Sequence, residues 1–410
     1  MPNQCRFCDN PLKHKLVDLG VSPLANAYLN AEQTQQMEPF YPLRVYVCDH
    51  CYLVQLPVFQ SSEEIFCDYA YFSSFSDSWL KHAETYVNDI IDRFGFDTHS
   101  NIIEIASNDG YLLQYFVQKG IQVLGIEPAR NVAQAAQKAG IRTLEKFFGS
   151  QTADELAREG QYADLLIGNN VLAHVPDVND FVKGMKIILA PDGIITMEFP
   201  HLMRLMAENQ FDTIYHEHFS YFSFTVAEQI FEKHGLVIFD VDELSTHGGS
   251  LRIYARHAED NSRHMGENVA ALLEREAAEG FGNLEFYLTF NRKVQSTKRS
   301  ILDFMVRTRN EGKTIVGYGA PAKGNTLLNY CGIRTDFISY TVDRSPHKQG
   351  FFLPGTHIPI YHPDKIKETQ PDYVVILPWN LKDEIMRQMA YIRDWNGKFV
   401  TLIPEVRIYP

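Results

Sequence analysis

From Phe211 to Phe222 the chain reads F-D-T-I-Y-H-E-H-F-S-Y-F, which sets Tyr215, His216, Glu217 and His218 in four consecutive positions of an otherwise apolar and aromatic run. Titratable side chains in apolar surroundings are costly unless they are paired or used. Histidine is the side chain best suited to take a proton near neutral pH. The stretch therefore reads as a general base with polar neighbours. Two blander readings compete with it: a satisfied hydrogen-bond network at a strand-loop junction, and a surface metal site.

A second chemical signal lies at the N-terminus. Cys5-Arg-Phe-Cys8 and Cys48-Asp-His-Cys51 are two C-x-x-C knuckles. Four thiolates give zinc a closed tetrahedral shell, the pattern of structural sites. His14 and His50 are alternative ligands, but nothing requires them. The segment between the pairs reads as short and turn-rich, with too little apolar mass for a core of its own, so a metal staple makes physical sense there. Cys67 and Cys331 read as ordinary buried thiols.

The elements that must position the histidines follow from the pattern of residues 99–200. Asn101–Ala106, Gln122–Ile126, Ala163–Ile167 and Gly193–Glu198 are short apolar strands. Helices are expected at Tyr111–Lys119, Asn131–Ala139 and Phe181–Leu189. This βαβαβ rhythm implies a parallel doubly wound sheet, which binds ligands beyond the carboxyl ends of its strands. Glu104 stands in the first strand, and a small-residue turn with Ala106, Ser107, Asn108 and Gly110 follows it. Glu127 ends the second strand, where a carboxylate can accept from both ribose hydroxyls. Asn169 and Asn170 end a later strand and are placed to meet an amino-acid moiety. The absence of a clean G-x-G-x-x-G turns this set away from a pyrophosphate cofactor and toward S-adenosylmethionine. His174 follows these strand ends and is expected in the same crevice.

Beyond the sheet, Tyr69 and Tyr71 in an aromatic, hydroxyl-rich segment either reach a neighbouring site or pack between domains. A helix is expected at Trp79–Phe94. His247, in S-T-H-G-G-S, sits in a turn whose glycines shape the turn or admit a ligand. Residues 257–312 read as long connecting helices. A second α/β pattern then begins with strand Thr314–Gly319, a loop carrying Lys323, and a helix from Asn325; a further strand is expected at Phe337–Val342. Backbone N–H groups and a helix N-terminus there suit a phosphate, with Lys323 adding charge. Binding of NAD is the rival reading of the same pattern.

The composition limits the partners. The 410 residues suggest two or three domains, and 45% hydrophobic with 22% charged residues is ordinary for a globular chain. The net charge of −13 argues against a general nucleic-acid or anionic-membrane surface. No apolar run reaches transmembrane length and no signal core opens the chain, so a cytoplasmic protein is expected. A monomer is expected, with oligomers left open.

Taken in order, C-x-x-C…C-x-x-C, Y-F-S-S-F-S-D-S-W, E-I-A-S-N-D-G-Y-L-L, G-I-E-P, N-N-V-L-A-H-V-P-D, Y-H-E-H-F-S-Y-F, T-H-G-G-S-L-R and G-Y-G-A-P-A-K-G-N-T-L-L-N resemble the bacterial sugar C-methyltransferases, in particular the C3-methylating branch that acts on nucleotide-linked 4-keto-deoxy sugars. The likeness covers nearly the whole chain, with Ala106-Ser107 standing where Gly-Ser is expected. It implies a zinc-binding domain (1–65), an S-adenosylmethionine-dependent class I methyltransferase domain (66–256), and a helical connector with a Rossmann-like domain (257–410). By motif position it implies His218 as the base, with Tyr215, Glu217, His174 and Tyr69 around the sugar. Tyr71, His247, Gly319, Lys323 and Asn325 fall to substrate binding, the last domain holding the nucleotide diphosphate and not NAD.

The chemistry agrees with the residues. A ketone at C4 acidifies the hydrogen on C3; a base removes it, and the enolate carbon takes the methyl group. This needs a base and oxyanion donors, which Tyr215 or His174 supply, and no catalytic metal. An O-methyltransferase, which would retain deuterium at C3, and a non-catalytic nucleotide-binding scaffold are the alternatives.

Overall fold

The computed structural model describes residues 4–61 and 73–410. Tyr69, Tyr71 and Cys67 lie outside the described residues. Two runs near the N-terminus form an antiparallel pair, β1 (His14–Ser22) and β2 (Tyr41–Val47). In β2, Leu43, Val45 and Val47 point inward while Arg44 stays out, the period of two that a half-buried strand requires. The short β3 (Val54–Gln55) pairs with β2. The segment between the cysteine pairs, expected to be turn-rich, thus carries two substantial strands. Gly20, Pro23 and Pro39 around the alternating stretches disguise them.

The helix α1 (Asp77–Phe94) starts at the cap Ser76, whose hydroxyl accepts from the Trp79 N–H, and stops at Gly95 with φ 76°. The central unit then runs β4 (Asn101–Ile105), α2 (Leu113–Gln118), β5 (Gln122–Ile126), α3 (Arg130–Lys138), β6 (Thr143–Leu144), α4 (Ser150–Arg158), β7 (Ala163–Asn169), α5 (Val178–Ile188) and β8 (Leu189–Pro200). After α6 (Leu202–Ala207) the chain makes β9 (Ser220–Tyr221), which leaves the central sheet and pairs with β3 of the N-terminal one. The helix α7 (Phe224–Lys233) leads to β10 (Leu236–Leu244) and β11 (Ser250–His257).

Among the described residues the central sheet has the order β10-β11-β8-β7-β4-β5-β6. Strands β8 to β6 are parallel; β11 runs antiparallel to both β8 and β10, so it alone is reversed and β10 points the same way as β8. The parallel sheet expected from residues 99–200 is present as β8-β7-β4-β5-β6, and the loop at Ser245–Gly249 turns the chain back to add β11 as an antiparallel strand beside β8. Helices extend from β4 toward β5 on one side and from β7 toward β8 on the other. The crevice at this reversal is where an α/β sheet binds its ligand.

The C-terminal unit begins with α8 (Glu267–Glu279), α9 (Leu284–Leu288) and α10 (Phe290–Asn310). It continues with β12 (Ile315–Tyr318), α11 (Ala322–Cys331), β13 (Thr341–Val342), β14 (Ile360–Tyr361), α12 (Lys365–Thr369), β15 (Tyr373–Ile376), α13 (Lys382–Gln388), β16 (Lys398–Thr401) and β17 (Arg407–Tyr409). The sheet order is β14-β13-β12-β15-β16-β17, parallel except at β17. Only Thr341–Val342 of the expected strand 337–342 is extended. Leu16 and Val45 of the first sheet, Ile103 and Met197 of the second, and Ile315 and Val400 of the third belong to one continuous buried cluster. Among the described residues no helix is long and apolar enough to cross a membrane.

Candidate active site

The organising stretch folds as a loop, with a helical turn at Phe211–Thr213 and then β9, and it divides its four polar residues. Tyr215, Glu217 and His218 line a cavity of about 380 Å³ at the carboxyl ends of the central strands. His216 faces the other way, with Nε2 3.3 Å from the Pro42 carbonyl oxygen and its ring against Tyr41.

The His218 Nδ1 lies 2.9 Å from the Thr213 carbonyl oxygen. A carbonyl only accepts, so Nδ1 carries the proton and Nε2 holds the lone pair. Tyr215 packs against the ring at 4.1 Å and His174 meets it edge-on at 4.8 Å. Burial, reinforced by His174, His247 and Lys323, pushes the His218 imidazole well below its ordinary range, so the ring is neutral at neutral pH. His174 donates from Nδ1 to the Glu217 carbonyl at 2.8 Å, and burial lowers it to about 4. The Glu217 carboxylate accepts from Asn26, yet burial raises it to about 7.

The expected cofactor residues gather on the sheet side of the same cavity: Ala106, Asn108, Glu127, Asn169 and Asn170 line it. Glu127 is fixed by the backbone N–H groups of Asn108 (3.0 Å) and Ala129 (2.8 Å). Ala106, Asn108 and Asn170 all adopt left-handed φ, between 51° and 54°, a costly conformation that clusters at binding sites. Glu104 is buried behind them, its pKa raised well above the carboxylate range by burial and then by Glu127 and Asp109.

Several expected residues stand elsewhere. Ser107 turns inward against Gly125, where a Cβ would lie 2.4 Å from its hydroxyl. Gly110 (φ 81°) serves the turn and leaves room for Ile141. Gly319 takes φ 88°, and a Cβ there would lie 2.5 Å from Pro378, so the position needs glycine on both counts; the following Pro321, Ala322 and Lys323 are the parts of that loop that line the cavity. Asn325 is buried and donates to the Ala25 carbonyl at 2.5 Å, a pin between units with no place in the cavity lining. His247 does line it, at φ 55° and edge-on to Trp79.

Sequence reasoning missed Asn26, Trp79 and Lys348, all of which line the cavity. It also missed Asp212, buried beneath Lys323, which accepts from the Trp379 indole at 2.7 Å and is raised by burial to about 6. The position of Asp212 inside the organising stretch was its one signal.

Family models match the chain in three consecutive parts: a zinc binding domain over residues 5–66, a "Methyltransferase domain" over 79–241 and a "C-methyltransferase C-terminal domain" over 245–404. The C-methyltransferase NovU of Streptomyces niveus is 35% identical over 406 residues, covering 99% of this chain and 96% of that protein. The chain belongs to this C-methyltransferase family. A ubiquinone biosynthesis O-methyltransferase of Bartonella tribocorum is 30% identical over 95 residues, 23% of this chain and 38% of that one. The solved PH0226 protein of Pyrococcus horikoshii OT3 aligns with 48% of this chain and 99% of that one, at 15% identity and a TM-score of 0.37.

The C-methyltransferase is S-adenosylmethionine-dependent and carries a structural zinc. Its residues fit both groups. Asn169 has a buried amide with neither Oδ1 nor Nδ2 satisfied by the described residues, and Asn170 Oδ1 is in the same state. Such orphaned groups at strand ends ask for a polar ligand. In the N-terminal unit the sulfurs of Cys5, Cys8, Cys48 and Cys51 lie within 4.8 Å of one another, with Cys5–Cys51 and Cys8–Cys48 at 3.5 Å. Four sulfurs bound to zinc at ~2.3 Å stand about 3.8 Å apart. The Gln55, Asn10 and His50 N–H groups point at Cys5, Cys8 and Cys48 sulfurs, at 3.1 to 3.4 Å. His14 instead pairs with Asp49 at 3.3 Å.

Proposed function

We propose that this C-methyltransferase methylates C3 of a nucleotide-diphosphate-linked 4-keto-6-deoxy sugar, with His218 as the base that forms the enolate. The observation that carries the reading is the state of His218. It lines the cavity shared with Glu127 and Asn169, its proton is committed to Thr213 from Nδ1, and its other nitrogen has no hydrogen-bond partner among the described residues. A neutral imidazole held in that tautomer accepts a proton at Nε2.

When bound, S-adenosylmethionine supplies an electrophilic sulfonium methyl group whose leaving group is a neutral thioether. Glu127, fixed by two backbone N–H groups, suits the ribose hydroxyls; Asn169 and Asn170 suit the amino-acid end. On the acceptor side, His218 Nε2 takes the C3 proton, and the C–H electron pair moves through C3–C4 onto the ketone oxygen. That oxyanion needs a donor. His174 is neutral with its ring proton engaged by the Glu217 carbonyl, so of the two we assign the donor role to Tyr215, which lines the cavity with its ring 4.1 Å from that of His218. Among the described residues the Glu217 carboxylate is hydrogen-bonded to Asn26 and to no histidine, so we assign it to a sugar hydroxyl. Lys323, on the loop after β12, suits the diphosphate. Under the division into 1–65, 66–256 and 257–410, the second domain carries the cofactor and the proton transfer, the third carries the diphosphate through Lys323, and the first holds the zinc.

The test is a mass-spectrometric assay with S-adenosylmethionine and a panel of nucleotide-linked 4-keto-6-deoxy sugars deuterated at C3. Methyl gain with loss of deuterium is the expected result. Methyl gain with deuterium retained would sink the enolate and point to oxygen as the acceptor.

A further inference from the structure

Glu217 has a partner from a distant part of the chain. Asn26 lies between the two cysteine pairs, and its Nδ2 donates to both oxygens of the Glu217 carboxylate, at 2.8 and 2.9 Å. Asn26 itself lines the cavity. The hydroxyl of Tyr28 lies 3.4 Å from Asn26 Oδ1 and donates to the Ala320 carbonyl at 2.6 Å. That carbonyl, just ahead of the cavity-lining Pro321–Lys323 loop, also accepts from Lys348 Nζ at 2.9 Å, and the Lys348 ammonium stands 5.3 Å above the Tyr28 ring. Segment 24–28 is thereby strapped from Glu217 on one side to the C-terminal unit on the other.

A buried carboxylate is ordinarily matched to a cation. Glu217 is matched to a neutral amide instead. An amide orients a carboxylate without cancelling its charge, and a carboxylate has about four acceptor sites, of which Nδ2 occupies two. The others remain for a donor that enters the cavity. We infer that Asn26 is a positioning residue of the methyl-acceptor subsite, holding the Glu217 carboxylate so that it accepts a hydrogen bond from a hydroxyl of the acceptor, and that the zinc-binding module is in this way a wall of the active site. The inference rests on the cavity being the acceptor site.

The charged and titratable groups near the pair include Tyr215, His218 and His174 from the core, Tyr28 from the module, and Lys323 and Lys348 from the C-terminal unit, with Asp343 4.0 Å from the Lys348 ammonium. Burial raises Glu217 and the Asn26 hydrogen bond opposes the rise. Loss of Asn26 therefore makes the carboxyl easier to protonate and frees its orientation.

The experiment uses the full chain loaded with zinc: Asn26→Ala, Asn26→Asp, Glu217→Gln, and Asn26→Ala combined with Glu217→Gln. Zinc content and S-adenosylmethionine affinity are measured for each, with kcat and KM for the sugar that turns over in the deuterium panel. The protonated-carboxyl infrared band of Glu217, identified by its loss in Glu217→Gln, is followed against pH without any acceptor. Both Asn26 single variants are expected to keep zinc and cofactor binding, to raise the acceptor KM ~tenfold or more, as for one lost charge-assisted hydrogen bond, and to move the carboxyl band to higher pH. Asn26→Asp moves it further, since two carboxyls then face each other. In the Glu217→Gln background Asn26→Ala adds nothing. An unmoved band with parental KM, or an equal further loss in that background, overturns the positioning role. Parental KM and kcat in Glu217→Gln would instead overturn the assignment of the carboxylate to the acceptor, whatever Asn26 does.

Discussion

The two ring nitrogens of His218 do different work, and that division can be tested one residue at a time. With Nδ1 committed to Thr213, substitution by alanine removes the base alone. We expect His218→Ala to lower kcat by roughly 10²–10⁴, the usual worth of a positioned general base, and to abolish deuterium washout from C3 while S-adenosylmethionine still binds; washout at the parental rate would remove His218 from the role. The pH profile separates it from its neighbour. Glu217 is raised to about 7 and His218 is pushed well below 6.5. The acid side of kcat/KM should therefore fall in two stages, the first near pH 7 and the second below 6.5, and Glu217→Gln should erase the first while leaving the second. At the cofactor end, Ala106 occupies φ 54°, which costs an alanine about 1–2 kcal/mol relative to glycine. Glycine regains part of this as unfolded-chain entropy, about 0.4–1 kcal/mol. Ala106→Gly should raise the stability by roughly 0.5–1 kcal/mol in urea unfolding. Residues such as Tyr215, His218, Glu127 and Asn169 were legible because unusual types stood at strand ends or in apolar runs. Asn26 and Lys348 were not, since an asparagine in a polar turn and a lysine in a loop have no local signature. Asn325 misled for a related reason: its neighbours in the loop do reach the cavity, while its own amide is used by Ala25.

At the scale of elements, the metal site and the base are connected through three short pieces of backbone. Gln55 of β3 donates to Cys5 Sγ. The same strand pairs with β9, which begins two residues after His218, and Leu56 N–H donates to the Phe219 carbonyl at 2.9 Å. Arg6, inside the first cysteine knuckle, reinforces this link. Its backbone N–H donates to Gln55 Oε1 at 3.0 Å, and its guanidinium donates to the Leu56 carbonyl at 2.5 Å and the Pro176 carbonyl at 3.4 Å. It also stands 5.5 Å over the Phe219 ring. Arg6→Ala would leave the half-buried Leu56 carbonyl unpaired, while water takes the exposed Pro176 carbonyl and the backbone bond to Gln55 stays, a loss of roughly 1–3 kcal/mol for the one orphaned group. The measurement is chemical unfolding with zinc content as the control. Chelating the zinc should act through the same route, and faster amide exchange at Ser220 and Tyr221 would report it; unchanged exchange there would show that the module does not hold β9. None of this pairing was visible beforehand. The alternation of β2 is present in the sequence, but a two-residue strand such as β9 has no periodicity, and its partner is far away in the chain. The βα repeats from β4 to β8 were readable for the opposite reason, because each strand is a continuous apolar run closed by a turn.

For the molecule as a whole, burying the site sets two groups of titrations against each other. His174 and His247 fall from 6.5 to about 4 on folding, so the unfolded chain takes up protons first. Their contribution to stability is complete above pH 6.5 and is lost as the pH falls toward 4. Glu217 rises from 4.5 to about 7 and Asp212 from 3.8 to about 6, so here the folded chain takes up protons first. These carboxyls weaken the fold at high pH and cease to do so as the pH falls through their folded values. At about 1.4 kcal/mol per tenfold change in proton affinity, each group carries on the order of 3 kcal/mol, and the signs are opposite across nearly the same interval. The intact protein should consequently show a shallow dependence of unfolding free energy on pH between 4 and 7, despite several buried ionisable groups. Single substitutions should uncover the hidden slopes. Glu217→Gln should be more stable than the parent at pH 8 and should lose that advantage on acidification, because glutamine imitates the protonated acid at every pH. His174→Gln should do the reverse in the acid range, holding its stability below pH 6.5 where the parent loses it. Parallel curves for the two variants would mean that these groups relax into water on ionisation and that the cavity is wetter than its lining implies.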